Sequence, residues 1–248
     1  MLWARSRLRA KYHMFITAQP NFGFLPKSSI RPAVMYSDTP FLTETALVDA
    51  IRMACGIDYV LTLSSPCAGA SIFGMHFQAM PARLSFNNES YHLFNWLDEN
   101  VPVSTENSVV MLKAYPATCI RISGEQRYVF RNVWYLARNY NDLMSYNLII
   151  QGIDQERAKV YFFPRPFTGN LEGPQDFNPP ISKLEWAFGA FEMGGFFLIG
   201  DEIAYRSIIN GGESLLKNYL RGTSISQELE EMDKLKELMI DLVNLNYS

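Results

Sequence analysis

Twice along the chain, two runs with strand character lead into an amphipathic helix, and two further strand runs follow it. In the first pass the strands are residues 12–18 and 22–26, the helix 39–55, and the later strands 58–63 and 72–80. In the second they are 108–115 and 118–123, a helix over 125–140, and strands 146–152 and 158–164. One-faced helices and strands must bury their apolar faces against each other, which confines such an order to helices packed on a sheet. The expected class is α+β: a mainly antiparallel sheet with helices on its faces. The passes share no sequence identity, so the recurrence suggests two structurally related halves, 12–103 and 104–210, inside one domain spanning 1–248.

The first helix carries Leu42, Ala46, Leu47, Ala50 and Met53 at steps of three and four, with Pro40 where a first-turn proline is tolerated and Gly56 at its end. Residues 64–71, with Pro66 and Gly69, read as a loop between strands, and 168–180, rich in Gly, Pro and Asn, as a longer one. A strand pair is expected near 184–191 and 195–199. At the C-terminus, Ser224 with Gln227 three residues on reads as a capping box opening a helix over 224–246. Its stripe of Leu229, Met232, Leu235, Leu238 or Met239, and Leu242 predicts docking on the core. The stripe is short for a coiled coil, which leaves the oligomeric state, a homodimer included, open.

Bulk properties exclude several classes. With 248 residues, 48% of them hydrophobic, the chain can bury a sizeable core and lacks the composition of a disordered or fibrous protein. A net charge of −3 gives no global reason to expect nucleic acid or an anionic membrane as partner. The basic run Arg5, Arg7, Arg9 and Lys11 reads as a solvated terminus, without the interleaved aromatics of a binding arm. No apolar stretch is long enough for a membrane span or a signal peptide, so a cytoplasmic protein is expected. Cys55, Cys67 and Cys119 are too few and too scattered for a disulfide framework or a zinc site, and free thiols are expected instead.

Chemistry concentrates in residues 67–80. Gly69 and Ser71 stand in a tight loop, where backbone N–H groups and a hydroxyl can approach a phosphate. In the strand that follows, Gly74, His76 and Gln78 alternate with Met75, Phe77 and Ala79, so one face is apolar and the other presents an imidazole beside an amide. A lone strand histidine is more often structural than catalytic. Its setting beside a loop of donors makes it a candidate for attack on phosphorus.

Gly69-Ala70-Ser71-Ile72-Phe73-Gly74-Met75-His76-Phe77-Gln78 resembles the G-x-S-x-x-H-x-H-x-Q segment of the larger branch of the histidine-triad superfamily. That branch includes galactose-1-phosphate uridylyltransferase, diadenosine tetraphosphate phosphorylase and plant GDP-L-galactose phosphorylase. Residues 146–150 followed by 160–165 resemble the paired "YNLLI" and "FPR" strands of the phosphorylases, and 188–195 is similar to a "PGAIDMGG"-type segment of a related bacterial group described only as a domain of unknown function. These matches keep the family's order and span roughly residues 12 to 210.

The resemblance implies that His76 attacks the α-phosphorus of a nucleoside diphosphate-sugar or dinucleotide, giving a nucleotidyl-histidine that phosphate or a sugar phosphate resolves. It implies that Gln78 hydrogen-bonds the transferring phosphoryl and that Ser71 and the Gly69 loop amides hold its oxygens; Arg165, which has no aligned role in the family, is a further candidate for a phosphate contact. Covalent catalysis and oriented donors suit these roles. Gly74 replaces the first histidine of the motif, a metal ligand in the uridylyltransferase branch, so neither a metal nor a cofactor is expected. The same departure motivates an alternative: a catalytically degenerate relative that binds a nucleotide or a protein partner.

Overall fold

A computed structural model describes residues 13–16, 33–37, 41–65, 68, 75–86, 89–92, 94–98, 106–140, 145–165, 189–196, 217, 218, 220, 221 and 230–247. Eight strands form one sheet: β1 (His13–Ile16), β2 (Ala33–Ser37), β3 (Tyr59–Ser64), β4 (Met75–Pro81), β7 (Ser108–Met111), β8 (Ile120–Glu125), β9 (Tyr146–Gly152) and β10 (Arg157–Pro164). The strands β5 (Arg83–Phe86) and β6 (Glu89–His92) pair separately. The helices include α1 (Glu44–Gly56), α2 (Gln126–Asn139), the short α3 (Ala190–Met193) and α4 (Glu230–Tyr247), and a 3-10 turn covers Asn95–Asp98.

The sheet runs β1-β2-β4-β3-β9-β10-β8-β7, and every pairing in it is antiparallel. Read outward from the β3 and β9 junction, one side is β3, β4, β2, β1 and the other β9, β10, β8, β7. On each side a helix separates the second strand from the third in sequence, α1 on one and α2 on the other. The α+β class with a mainly antiparallel sheet is as expected.

Alternation along the strands divides the side chains between two cores. Leu61, Leu63, Met75, Phe77, Leu148, Ile150, Val160 and Phe162 pack beneath Leu47 and Ala50 of α1, Val133 and Leu136 of α2, and Leu235 and Leu242 of α4. On the opposite face Val60, Met80, Ile149, Tyr161 and Phe163 meet Phe94, Leu97, Phe191, Met193 and Leu220. Burial on both faces explains why β3, β9 and β10 are nearly continuous apolar runs. Each large side chain so buried contributes ~1.5–3 kcal/mol.

Thr43 caps α1, its Oγ1 accepting from the Ala46 N–H at 3.2 Å, which trims the expected start by several residues. The far end of the helix lies directly on β9: a Cβ on Gly152 would stand 2.8 Å from the Cys55 Cα, so only glycine permits this approach.

Three expectations change. The strand β2 falls at Ala33–Ser37, while the expected strand 22–26 lies outside the described residues. A hairpin, β5 and β6, occupies part of a stretch in which no strands were expected. Residues 190–193, expected at the end of a strand, form α3, because the Glu192 carboxylate accepts from the Gly189 N–H at 2.9 Å and closes a helical turn. The C-terminal helix is present as Glu230–Tyr247, with Met232, Leu235, Leu238 and Leu242 buried; residues 224–229 lie outside the description. Among the described residues no helix is long and apolar enough to cross a membrane.

Candidate functional site

His76 and Gln78 belong to β4, on the face opposite Met75, Phe77 and Ala79, as the alternation requires. His76 pairs across the sheet with Tyr36 of β2, and Gln78 with Val34 of β2 and Thr62 of β3. His76 is only 4% exposed, while Gln78 is half-buried. The β3 and β4 register last pairs Leu63 with Phe77, and one further step brings Ser64 level with His76. Ser64 in turn pairs with Asn147 of β9, and Asn147 with Phe163 of β10. One row across the sheet therefore carries His76, Ser64 and Asn147 on a single face.

The loop leaving β3 is fastened at its base. Ser65 N–H donates to the Tyr146 carbonyl at 3.1 Å, and the Ser65 Oγ accepts from the Tyr146 N–H at 2.9 Å. The Ala68 N–H donates to the Ser65 carbonyl at 2.9 Å. The wholly buried Asn147 donates its Nδ2 to the Ala68 carbonyl at 2.7 Å and accepts at Oδ1 from Arg165 Nη1, also at 2.7 Å. Arg165 is thus joined through one amide to the loop that continues into Gly69 and Ser71. Those two residues lie outside the described part of the chain.

Arg165 is further fixed by its main chain: its N–H donates to the Ser145 carbonyl at 3.0 Å, and its own carbonyl accepts from the Tyr140 hydroxyl at 3.3 Å. Burial pushes the guanidinium down to about 10, with Glu192 and Tyr140 acting in the opposite direction, so it carries its charge at neutral pH. Glu192 belongs to α3, whose Ala190 N–H donates to the Ser64 Oγ at 2.9 Å. The short helix and the row on the sheet are therefore one assembly.

Ser64, Ser65, Asn147 and Glu192 were absent from the sequence-derived site. Only Asn147 left a signal, as a polar residue directly before the apolar run Leu148, Ile149 and Ile150 of β9. Gln78 is aligned with Thr62 and Ile149, a row away from Asn147.

A second polar group lies on the same sheet face in β8 and β10. The Asp98 carboxylate accepts from Arg121 Nη1 at 3.2 Å and from Lys159 Nζ. Burial alone would raise the Asp98 carboxyl, but bonding from Lys159, Tyr161 and Arg121 outweighs it and holds the group below its ordinary value. Both cations are engaged by one carboxylate, which makes this an internal ion cluster.

Cysteine chemistry is disfavoured at the positions described. Burial pushes the Cys55 thiol up to about 11, with the Asp154 charge adding to it, and drives the Cys119 thiol well above its usual range. Among the described residues no three His, Cys, Asp or Glu side chains converge to hold a metal.

No protein-family model and no curated protein matches this sequence. Among solved structures, a crystal structure of a DUF4931 family protein from Bacillus cereus is similar at 14% identity. It covers 69% of this chain and 89% of its own, with a TM-score of 0.43. A likeness of that size carries no argument about fold or function.

Proposed function

We propose that the chain is a nucleotidyltransferase or phosphorylase of histidine-triad type, acting on a nucleoside diphosphate-sugar or a dinucleotide. The observation that carries this reading is the row of His76, Ser64 and Asn147, with Arg165 bonded through Asn147 to the base of the loop that leads to Gly69 and Ser71. A nucleophile, a cation and a donor-rich loop are what transfer of a nucleotidyl group needs. An imidazole nitrogen of His76 attacks the α-phosphorus, and the bond to the leaving phosphate oxygen breaks with its electron pair on that oxygen. An oxygen of phosphate or of a sugar phosphate then attacks the same phosphorus and releases the histidine. Gln78 and Ser71 supply hydrogen bonds to the transferring group, and Arg165 stabilises its charge.

The symmetric strand order about the β3 and β9 junction supports two related halves, the arrangement the histidine-triad reading requires. The proposal includes a nucleotide or nucleotide-sugar as partner, no nucleic acid and no membrane, and a cytoplasmic setting in which Cys55 and Cys119 are free thiols.

A second reading has its own observation. His76 is buried to 4% exposure, and a nucleophile must reach phosphorus. Together with Gly74 in place of the motif's first histidine, this favours a catalytically degenerate relative that binds a nucleotide or a protein partner. A thermal-shift panel of nucleotides and nucleotide-sugars tests both: a ligand at ~100 times its dissociation constant stabilises the protein by about 2.7 kcal/mol. A shift is expected with at least one of them; no shift with any contradicts both nucleotide readings.

A further inference from the structure

On the helical side of the sheet, α1 and α2 border a cleft of about 320 Å3 lined by Val48, Arg52, Gln126, Arg127 and Phe130. Helical spacing builds it: Val48 and Arg52 are four residues apart, Arg127 and Phe130 three, so each helix offers one apolar and one cationic side chain to the same gap. Val48 and Phe130 are half-buried and Arg52 and Arg127 exposed, and Phe130 packs down on the core beneath the helices. Gln126 is held in place by its Nε2, which donates to the Gln155 carbonyl at 2.7 Å. The apolar floor is therefore set before anything binds.

Two guanidinium groups border this one cleft, and neither forms an ion pair with a described residue. Nor are they isolated charges. Arg127, Arg131 and Arg138 recur at four and seven residues along α2 and are all exposed, so the outer face of this helix is positive in a chain whose net charge is −3. Like charges facing one gap repel, and an anion between them relieves that repulsion while accepting from both guanidinium forks.

We propose that this cleft binds a small organic anion. A phosphomonoester or carboxylate head lies between Arg52 and Arg127, and a flat apolar group attached to it rests on Phe130 and Val48. The volume is at the small end of the range for small-molecule sites, so a single ring with its charged head fills it. The cleft is on the opposite side of the sheet from His76 and Gln78. It is a separate site, and its occupation does not depend on the proposed nucleotidyl transfer.

Isothermal titration of the full chain with phenyl phosphate, benzoate, inorganic phosphate and benzyl alcohol tests the assignment. At least one of the two aromatic anions is expected to saturate a single site; which one binds more tightly decides between phosphate and carboxylate as the natural head group. Inorganic phosphate is expected to bind ~10-fold more weakly or worse, and benzyl alcohol not measurably, because each lacks one half of the recognition. Arg52→Gln and Arg127→Gln should each weaken the aromatic anion ~10-fold or more. Phe130→Leu, which keeps an apolar contact with the core, should bring it close to the level of inorganic phosphate. Arg138→Gln and His76→Ala should leave binding unchanged. No saturable binding of either anion up to ~10 mM overturns the proposal. Equal weakening by Arg138→Gln overturns it in favour of diffuse attraction to a basic helix, and loss of binding in His76→Ala overturns it by assigning the anion to the face of the sheet that carries His76.

Discussion

Asn147 shows how much one buried amide can hold. It is fully buried, and its two side-chain bonds reach the Ala68 carbonyl and the Arg165 guanidinium. Replacing it with leucine keeps the volume, leaves the buried Ala68 carbonyl without this donor and takes one acceptor from Arg165, so Asn147→Leu should lower stability by roughly 1–3 kcal/mol in urea unfolding. Asn147→Asp retains an acceptor for Arg165 but has no donor for Ala68, and its loss should be smaller. Equal stability of the leucine variant would show that the two bonds carry no net weight. Alternation in a strand was enough to put His76 and Gln78 on one face, since side-chain period is a local property. The role of Asn147 was not legible, because its partner Ala68 lies 79 residues away and Arg165 lies 18 away; nothing in the neighbourhood of Asn147 specifies either bond.

Among the elements, those with long periodic patterns were readable and the short ones were not. The helices α1 and α2 and the strands β9 and β10 fall where apolar spacing puts them, to within a few residues. A five-residue strand such as β2 offers too few positions for a period, and the four residues of α3 are closed by main-chain bonds from Met193 to Gly189 and from Gly194 to Ala190 together with the Gly189 N–H to Glu192 bond, too short a turn to show a period. The strand order was equally hidden, because Ser64 of β3 pairs with Asn147 of β9, 83 residues further along the chain. Where the sequence does specify an end, the effect is measurable. Thr43→Ala removes the acceptor for the Ala46 N–H and should cost about 1 kcal/mol, read as a lower Tm, while Thr43→Ser restores it. An unchanged Tm in Thr43→Ala would mean that water serves the free N–H as well.

Among the described residues, helices pack on one face of the sheet, and on the other an apolar layer is interrupted by polar groups. The Asp98 cluster belongs to that second face and ties the 3-10 turn to β8 and β10. The folded-state pKa of Asp98 lies below its unfolded value. Its contribution to stability is therefore present above the unfolded pKa, near ~3.9, and is lost as pH falls through the folded one. Asp98→Asn should lower stability at neutral pH by roughly 1–3 kcal/mol and should lose less of the remainder on acidification than wild type does. Parallel acid limbs in the two proteins would place the pH dependence in other carboxylates.

The proposed transfer requires His76 to form a covalent bond to phosphorus. Incubation with nucleoside diphosphate-sugars or dinucleotides labelled at the α-phosphate should leave label on the chain that is stable to base and labile to acid, as a phosphoramidate is. His76→Ala should carry none, and Gln78→Ala should acquire it roughly 10²-fold more slowly, the scale on which one oriented donor to a developing charge is felt. Label retained in His76→Ala would contradict the mechanism outright, and a wild-type protein that binds nucleotide without ever taking up label would leave the degenerate reading in its place.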